Sequence, residues 1–311
     1  MNGIPDPETD PGAAAGKTLV LQDVVRQHQV IVLTETRTNE LGRLMHDLQG
    51  THALIHATEV PAGHAGLPGH GVAVLASLTC ADHLKVFAVS ELLQCIWIQC
   101  NKALFGLDAD VMLGALYINP MSDRLPSHAL TEVFSSLADE VARAVQVTPH
   151  LVLCGDFNAH VARLSEVTDI HTGLLLAHPA LHKARRCELR IPRHNHAGKL
   201  LIELCSLHEC VLGTGRVWGD GGQRTCVKQG QMEGSGSRPD HVVMSSDIFG
   251  LGESVDIGKA FEISDHCTMS MTFGCVNADV RGVDRAFHDT HTCKRGGWGT
   301  RMRWTWRPER Q

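Results

Sequence analysis

The stretch from residue 151 to residue 160 constrains the fold of this chain more than any other. Four consecutive apolar residues (151–154) end abruptly in Gly155 and Asp156, and Asn158 follows. A short apolar run closed by a turn residue is typical of a buried strand in a sheet covered on both faces. Ligands of α/β sheets bind outside the carboxyl ends of strands, so we expect a site here. If the chain stays extended, Asp156 and Asn158 point the same way. The alternative is a polar turn after a core strand.

The size and composition of the chain allow a substantial core. Its 311 residues could form one large domain or two ordinary ones, and 43% of them are hydrophobic. The net charge of -6 argues against a protein that coats nucleic acid everywhere, but not against a local basic groove. The 11 scattered cysteines contain no CxxC, which favours reduced, structural cysteines in an intracellular protein over a zinc site. No run of 18 apolar residues occurs, so we expect neither a signal peptide nor a membrane span.

Hydrophobic patterns predict many strands and few helices. Apolar residues at helical spacing predict helices within 18–28, 39–48, 130–141 and 198–207. Strands are predicted at 30–33, 72–75, 85–89, 94–99, 112–118, 151–154, 242–244 and 267–273. We expect the second and third of these strands to pair with each other, and the last to be the final strand. The expected fold class is α/β, with two packed mixed β-sheets flanked by helices in a four-layer sandwich. No phosphate-binding glycine motif follows a strand, so an ordinary dinucleotide or P-loop site is not expected.

Polar side chains able to perform chemistry recur at the ends of the predicted strands. They are Glu35, Tyr117, Asn119, Asp156, Asn158, Asp240, Asp265 and His266. Carboxylate and amide oxygens suit Mg²⁺, which can neutralise charge on a transferring phosphorus. A phosphodiester hydrolase also needs a group that takes a proton from the attacking water and donors for the phosphate oxygens. An Asp paired with a His can fix the imidazole tautomer and stabilise its protonated form. The set therefore favours metal-dependent phosphodiester hydrolysis.

Five motifs resemble those of the endonuclease/exonuclease/phosphatase superfamily in order and spacing. They are Leu33-Thr34-Glu35-Thr36, Tyr117-Ile118-Asn119-Pro120, Gly155-Asp156-Phe157-Asn158-Ala159-His160, Ser237-Arg238-Pro239-Asp240 and Ser264-Asp265-His266. Within the superfamily, the chain most resembles the apurinic/apyrimidinic-like endonuclease domain of non-LTR retrotransposons. The stretch Asn195-His196-Ala197-Gly198-Lys199-Leu200-Leu201 also fits the retrotransposon pattern. The resemblance extends from about residue 2 to residue 274.

The resemblance implies how a metal and the scissile phosphate would be held. Glu35 and Asp265 would bind Mg²⁺, for which Mn²⁺ could substitute. Asp156 would activate or orient the attacking water, and Asn158 would bind the phosphate or that water. Tyr117, which is the single tyrosine of the chain, would contact the scissile phosphate.

The resemblance also implies a supporting pair and a substrate. Asp240 and His266 would form an Asp–His pair, and Thr225 would be a buried supporting hydroxyl. The implied reaction is nicking of DNA, most simply double-stranded DNA, to leave a 3′-hydroxyl primer. The protein would then be intracellular and nuclear. Its partner would be nucleic acid, and it would not bind a membrane.

Two departures from the family pattern bear on activity. Family members begin with a strand ending in Asn-x-Asn-Gly, whose first Asn helps the metal site, whereas this chain starts Met1-Asn2-Gly3-Ile4. We expect that the first strand is missing. In addition, His241 follows Asp240 where a Tyr is usual, and Arg238-Pro239 replaces a small residue followed by Ile. The alternatives are a catalytically inactive remnant that at most binds nucleic acid, or another phosphodiesterase or exonuclease of the superfamily.

Composition divides the chain into three parts. We expect a flexible lead at 1–17, an endonuclease/exonuclease/phosphatase-like domain at 18–274, and a basic, Trp-containing tail or linker at 275–311. Basic residues with interleaved aromatics can bind nucleic acid by charge and stacking. In retrotransposons a linker to the reverse transcriptase would begin here, so the chain is expected to be a fragment of a larger element. Within the domain, candidate nucleic-acid contacts lie in a basic segment that carries Arg185, Arg186, Arg190 and Arg193.

Overall fold

The structure is a computed structural model that describes residues 22, 24–36, 38–58, 71–90, 93–119, 127–166, 193–217, 219–227, 236–260, 266–274 and 302–308. Within these ranges, twelve strands form two six-stranded sheets. Five α-helices with described bounds and one short 3₁₀ helix accompany them, and residues 22 and 24–26 are also helical.

The first sheet contains the first three and the last three of the described strands. They are β1 (Val30–Thr36), β2 (His52–Ala57), β3 (Gly71–Ser77), β10 (Gly252–Ala260), β11 (Cys267–Phe273) and β12 (Met302–Pro308). Their order across the sheet is β10-β11-β12-β1-β3-β2. The neighbours β1 and β12 run parallel, and the other neighbours run antiparallel. This sheet is therefore mixed, and β12 lies in its interior.

The second sheet is built from the middle of the chain. Its strands are β4 (Leu84–Ser90), β5 (Cys95–Cys100), β6 (Val111–Tyr117), β7 (His150–Asp156), β8 (Cys210–Leu212) and β9 (Asp240–Ser245). Their order is β4-β5-β6-β7-β9-β8, and β6 and β7 are the parallel pair. The carboxyl ends of β6 and β7 consequently lie at the same end of the sheet.

Three apolar cores separate four layers. Between the two sheets, inward-facing side chains such as Val32, Leu113 and Val152 form one core. A second core packs the other face of the second sheet against the two long helices. A third core packs the outer face of the first sheet against the helix after β1.

The helices are α1 (Thr38–Asp47), α2 (Leu78–Ala81), α3 (Ser127–Val147), α4 (His196–Leu207) and α5 (Ser246–Leu251), with a 3₁₀ helix at Lys102–Leu104. The predicted four-layer sandwich of two mixed sheets is confirmed.

Two predictions about strands are wrong. The strands β3 and β4 do not pair with each other, because β3 lies between β1 and β2 whereas β4 pairs with β5 in the other sheet. In addition, β11 is not the last strand, because Met302–Pro308 forms β12. The Trp and Thr residues of β12 have high strand propensity. The many basic residues around them instead favour the interpretation of the tail as a linker.

The cysteines of the described ranges lie in the interior of the protein. They are all buried, and none of them is in a disulfide bond. Burial raises the pKa of the Cys154 thiol to about 12, so this thiol stays protonated at neutral pH. None of the helices in the described part of the chain combines the length and the apolar character that a membrane span requires.

Candidate active site

Three polar residues form a row across three neighbouring strands of the second sheet. Tyr117 ends β6 and is in register with Asp156, which ends β7. Asp156 is in register with Asp240, the first residue of β9. Side chains alternate between the faces of a strand, and Val152 and Cys154 face the core between the sheets. Asp156 therefore faces the same side, at the end of that core.

Gly155 allows β7 and β6 to approach closely beside this row. Its φ is +146°, and a Cβ atom there would lie 1.9 Å from the carbonyl oxygen of Leu116. Any other residue at this position would push the two strands apart. The glycine before Asp156 is thus explained by the backbone of the neighbouring strand.

His266 reaches the row from the first sheet. It immediately precedes β11, and the loop residue Cys226 forms antiparallel bridges with both His266 and Ser237. The amide of Ser237 donates to the carbonyl of Cys226 at 2.8 Å, and the amide of Cys267 donates to the carbonyl of Thr225 at 2.7 Å. This loop therefore joins the chain before β9 to the chain before β11.

Asp156, Asp240 and His266 form one buried cluster. Their ligand atoms all lie within 4.8 Å of one another. Within the cluster, His266 Nδ1 lies 3.2 Å from Asp240 Oδ1 and 3.1 Å from Asp240 Oδ2. Three strands and two sheets thus bring together groups that are far apart in sequence.

The charges of the Asp240–His266 pair follow from burial and proximity. Burial raises the pKa of Asp240, although His266, the Thr225 hydroxyl and the Arg238 guanidinium each oppose that rise. Burial alone would lower the pKa of His266, but the adjacent Asp240 carboxylate outweighs it and holds that pKa well above the ordinary value. The imidazole is therefore protonated at neutral pH, so it can donate a hydrogen bond but cannot accept a proton from water.

Asn158 lies on the turn after β7, which comprises residues 157–160. Its φ is +46°, in the left-handed region, so the chain does not stay extended between Asp156 and Asn158. The amide of Asn158 donates to Asp156 Oδ1 at 2.8 Å, and Asn158 Nδ2 donates to the carbonyl of Ile118 at 2.6 Å. The turn therefore orients the Asp156 carboxylate as well as the Asn158 side chain.

His241 supports this turn from β9. Its Nε2 lies 2.8 Å from the carbonyl oxygen of Ala159, which can only accept, so Nε2 carries the hydrogen. Its Nδ1 lies 3.1 Å from the Thr214 hydroxyl, which donates to it. His241 differs from the usual Tyr, but it still places a buried aromatic ring with a hydrogen-bond donor at this position.

Arg238, the other departure, is held by a buried ion pair. Its Nη2 pairs with Asp220 Oδ2. The Asp220 carboxylate also accepts from the amides of Gly215 at 2.5 Å and Gly222 at 2.9 Å. Arg238, two residues before Asp240, brings a positive charge into the interior. The Asp220 carboxylate compensates this charge.

Several predicted site residues cannot be placed by their side chains. Glu35 lies in β1, where the register with β3 shifts between Thr34 and Thr36, and its side chain lies outside the described residues. The other predicted metal ligand, Asp265, also lies outside them, although the adjacent His266 is in the cluster. Asn119 is exposed and follows β6.

The candidate nucleic-acid contacts are mostly outside the described ranges. This applies to Arg185, Arg186 and Arg190. Arg193 is described and exposed, two residues before Asn195.

Sequence reasoning missed the residues that hold the turn after β7. In the sequence, His241 stands out only as a departure from the family pattern, and Asn195 only as part of a family-like stretch. A usable signal existed for Asn195, because Asn before a helix is a preferred cap residue. Nothing in the sequence indicated that the same side chain would also contact the turn.

The donor atoms of the cluster determine whether it could hold a metal ion. Asp240 and His266 are engaged with each other through the carboxylate and the imidazole Nδ1. The Asp156 carboxylate offers the oxygen donors that Mg²⁺ and related hard cations prefer. The cluster as a whole could therefore hold a metal ion, and Asp156 supplies oxygen donors that suit a divalent cation.

The sequence matches the profile of the Endonuclease/Exonuclease/phosphatase family over residues 1–266. The chain belongs to this family, as its motifs predicted. Comparison with curated protein sequences gives no significant match.

Solved structures share the fold at low sequence identity. AP endonuclease LMAP from Leishmania major has a TM-score of 0.55 and 14% identity, over 87% of this chain and 84% of that chain. The 3′-5′ exonuclease NExo from Neisseria meningitidis has a TM-score of 0.52 and 15% identity, over 81% of this chain and 93% of that chain. Truncated TDP2 from Caenorhabditis elegans has a TM-score of 0.51 and 11% identity, over 84% of this chain and 91% of that chain. At these identities the likeness concerns the fold alone.

Proposed function

We propose that the chain is a divalent-metal-dependent phosphodiester hydrolase that nicks double-stranded DNA, of the kind found in non-LTR retrotransposons. The observation that carries this proposal is the row Tyr117, Asp156 and Asp240, which is completed by His266 from the other sheet. Membership of the nuclease and phosphatase family supports the reaction class. The retrotransposon assignment rests on the sequence motifs.

The charges of the cluster support distinct roles for its members. Asp156, an acceptor beside a protonated imidazole, orients the attacking water and takes its proton. His266, kept protonated by Asp240, donates a hydrogen bond to a phosphate oxygen as negative charge develops there. Tyr117 and Asn158 contact the scissile phosphate or the water. Each of these groups is held in place by the strands or by the turn after β7.

The metal would be Mg²⁺, with Mn²⁺ as a substitute, and Glu35 and Asp265 would hold it. When bound, the ion would neutralise charge on the phosphate and on the leaving oxygen.

The remaining assignments follow from the sequence. The catalytic domain is residues 18–274, to which β12 adds an interior strand. Arg185, Arg186, Arg190 and Arg193 contact the DNA backbone, and the site of action is the nucleus. A reverse transcriptase region of the same element is the expected partner.

A plasmid assay tests the proposal. Purified protein is incubated with supercoiled plasmid and Mg²⁺ or Mn²⁺, with and without a chelator, beside Asp156→Asn and His266→Gln. Asp156→Asn retains an acceptor for the amide of Asn158 but removes the negative charge. We expect metal-dependent nicking that falls by about 10²–10⁴-fold in Asp156→Asn, the range for a lost acid–base group. The control variant is Asp139→Asn, because Asp139 is exposed on α3.

Each other outcome has a meaning. Nicking that persists in both site variants would refute the site. A folded parent protein that binds DNA without nicking it would favour an inactive remnant. Trimming of DNA ends or release of terminal phosphate without nicking would favour an exonuclease or phosphatase of the same superfamily.

A further inference from the structure

The turn after β7 is attached to helix α4 by one side chain from a distant part of the sequence. That side chain belongs to Asn195, the residue before α4. We propose that Asn195 is a positioning residue for the reaction, which holds the turn that carries Asn158 and thereby orients Asp156. This inference rests on the proposed function, because it concerns the same site.

Asn195 makes reciprocal contacts with the turn. Its Nδ2 donates to the carbonyl oxygen of Asn158 at 2.8 Å. Its Oδ1 accepts from the amide of His160 at 2.8 Å. Its own backbone amide donates to the carbonyl oxygen of His160 at 3.1 Å. The partners fix the orientation of the amide group, because a carbonyl can only accept and a backbone N–H can only donate.

The same side chain also caps the helix. Asn195 Oδ1 accepts from the amide of Gly198 at 2.8 Å, which satisfies one of the free N–H groups in the first turn of α4. The helix lies very close to the turn, since a Cβ atom at Gly198 would be 2.0 Å from the carbonyl oxygen of His160. Both Asn195 and Gly198 are therefore required by one contact between helix and turn.

The conformation of the turn is tied to the orientation of Asp156. Asn158 has a φ of +46°, in the left-handed region, which Asn occupies more readily than most other L-residues. The amide of Asn158 is also the donor to Asp156 Oδ1. If the turn relaxes, the Asn158 side chain moves and the Asp156 carboxylate loses the donor that orients it. Small displacements of this kind in an active site can lower a rate by about 10²-fold.

Two substitutions separate the positioning role from the capping role. In Asn195→Ser, the hydroxyl is an equally good helix cap for Gly198, but it cannot replace both contacts with Asn158 and His160. In Asn195→Asp, the carboxylate still accepts from His160 and Gly198 but has no donor for the carbonyl of Asn158. Asn101→Ser is the matched control, because Asn101 caps the 3₁₀ helix by accepting from Ala103 at 2.9 Å.

Steady-state nicking and hydrogen–deuterium exchange test the proposal together. For Asn195→Ser we expect kcat to fall by about 10–10²-fold, KM for DNA to change by less than about 3-fold, and the unfolding midpoint to stay close to that of Asn101→Ser. Exchange should accelerate in the peptide covering 157–162 but not in the peptide covering 200–206 of α4. Asn195→Asp should give the same pattern with a smaller or equal loss of kcat.

The outcomes distinguish this inference from the proposed function. Unchanged kcat together with unchanged exchange at 157–162 in Asn195→Ser would overturn the positioning role. Equal loosening of the turn and of α4 would also overturn it, because Asn195 would then be only a helix cap. If the parent protein does not nick DNA at all, the proposed function fails, and the exchange measurement still decides whether Asn195 holds the turn.

Discussion

His266 Nδ1 lies 3.1 Å from Asp240 Oδ2, although Asp240 begins a strand of the second sheet and His266 precedes a strand of the first. The side chains are 1% and 0% exposed. The pair therefore closes one end of the core between the sheets with a contact between opposite charges. Because Asp156 belongs to the same cluster, the stability of this end of the fold and the charge state of the candidate site are linked.

Breaking this pair should be costly. His266→Gln leaves the buried Asp240 carboxylate without its charge partner, which typically costs about 3–5 kcal/mol of the free energy of unfolding. Urea denaturation at neutral pH measures the loss. The double variant Asp240→Asn with His266→Gln should be less destabilised than the sum of the two single variants, because neither charge is then left unpaired. Additive losses would contradict a direct interaction between the two side chains.

The same pair predicts how stability depends on pH. The pKa of His266 is raised in the folded state and has its ordinary value of 6.5 in the unfolded chain. Its stabilising contribution is complete below pH 6.5 and is lost as pH rises through the folded pKa, because the folded state then binds more protons. Burial lowers the pKa of His52 and of His208, so these residues change stability only below pH 6.5.

Urea unfolding of the metal-free protein measures this dependence. Between pH 6.5 and about pH 8, where free cysteine thiols are still mostly protonated, the free energy of unfolding should fall with rising pH. The slope should disappear in His266→Gln. A flat profile in the parent protein would show that the folded pKa of His266 is not raised.

Much of the fold was predictable because it depends on local pattern. The run before Gly155 predicted β7, and apolar residues at helical spacing such as Leu130, Phe134 and Leu137 predicted α3. The residue types of the candidate site were also visible in the sequence, since Asp156, Asp240 and His266 stand next to predicted strands. What the sequence does not contain is the register between strands, which places Tyr117 next to the other members of the row.

Other features could not be predicted because they depend on contacts between distant segments. The left-handed conformation of Asn158 is supported by the neighbouring Asp156, but also by Ile118, which follows β6, and by Asn195 before α4. The interior position of β12 depends on pairing with the edges of β1 and β11. These two edges face each other only in the folded sheet. The error on the pairing of β3 and β4 has the same origin, because adjacency in sequence does not decide which sheet a strand joins.

His241→Phe tests the hydrogen bonds that replace the usual Tyr. Phe keeps the ring but leaves the carbonyl of Ala159 and the hydroxyl of Thr214 without the imidazole partner. Leaving buried polar groups unsatisfied costs about 1–3 kcal/mol, and nicking should slow because the turn after β7 loses a contact. Chemical denaturation and the plasmid assay measure both effects. Substitution of the exposed His46 by Phe is the control, and an equal change there would contradict a specific role for His241.

The basic segment predicts a salt dependence of DNA binding. Each Arg that contacts a phosphate steepens the slope of log K against log salt by about 0.9. Replacing Arg185, Arg186, Arg190 and Arg193 together with Ala should weaken binding to unrelated DNA sequences alike and flatten this slope. Fluorescence anisotropy over a range of salt concentrations measures both. Arg143→Ala on α3, where the side chain is 68% exposed, should leave the slope unchanged, and an unchanged slope in the fourfold variant would contradict the contact.

The strand β12 makes the tail a part of the folded sheet. It pairs with β1 on one side and β11 on the other, and Thr305 is opposite Ile31 and Ser270. Without β12, the facing edges of β1 and β11 would expose unpaired backbone groups next to buried apolar residues. Deletion of residues 275–311 should therefore abolish cooperative unfolding, as monitored by circular dichroism in urea.

A pair of point variants makes the test of β12 specific. Thr305→Pro removes a backbone donor in the middle of the strand and should lower the free energy of unfolding by about 1–3 kcal/mol, because a buried acceptor is left unsatisfied. Thr305→Val keeps the donor and the strand propensity and should change stability by less than about 0.5 kcal/mol. If the deletion and Thr305→Pro both unfold like the parent protein, β12 is not an interior strand in solution, and the two halves of the first sheet must be joined in another way.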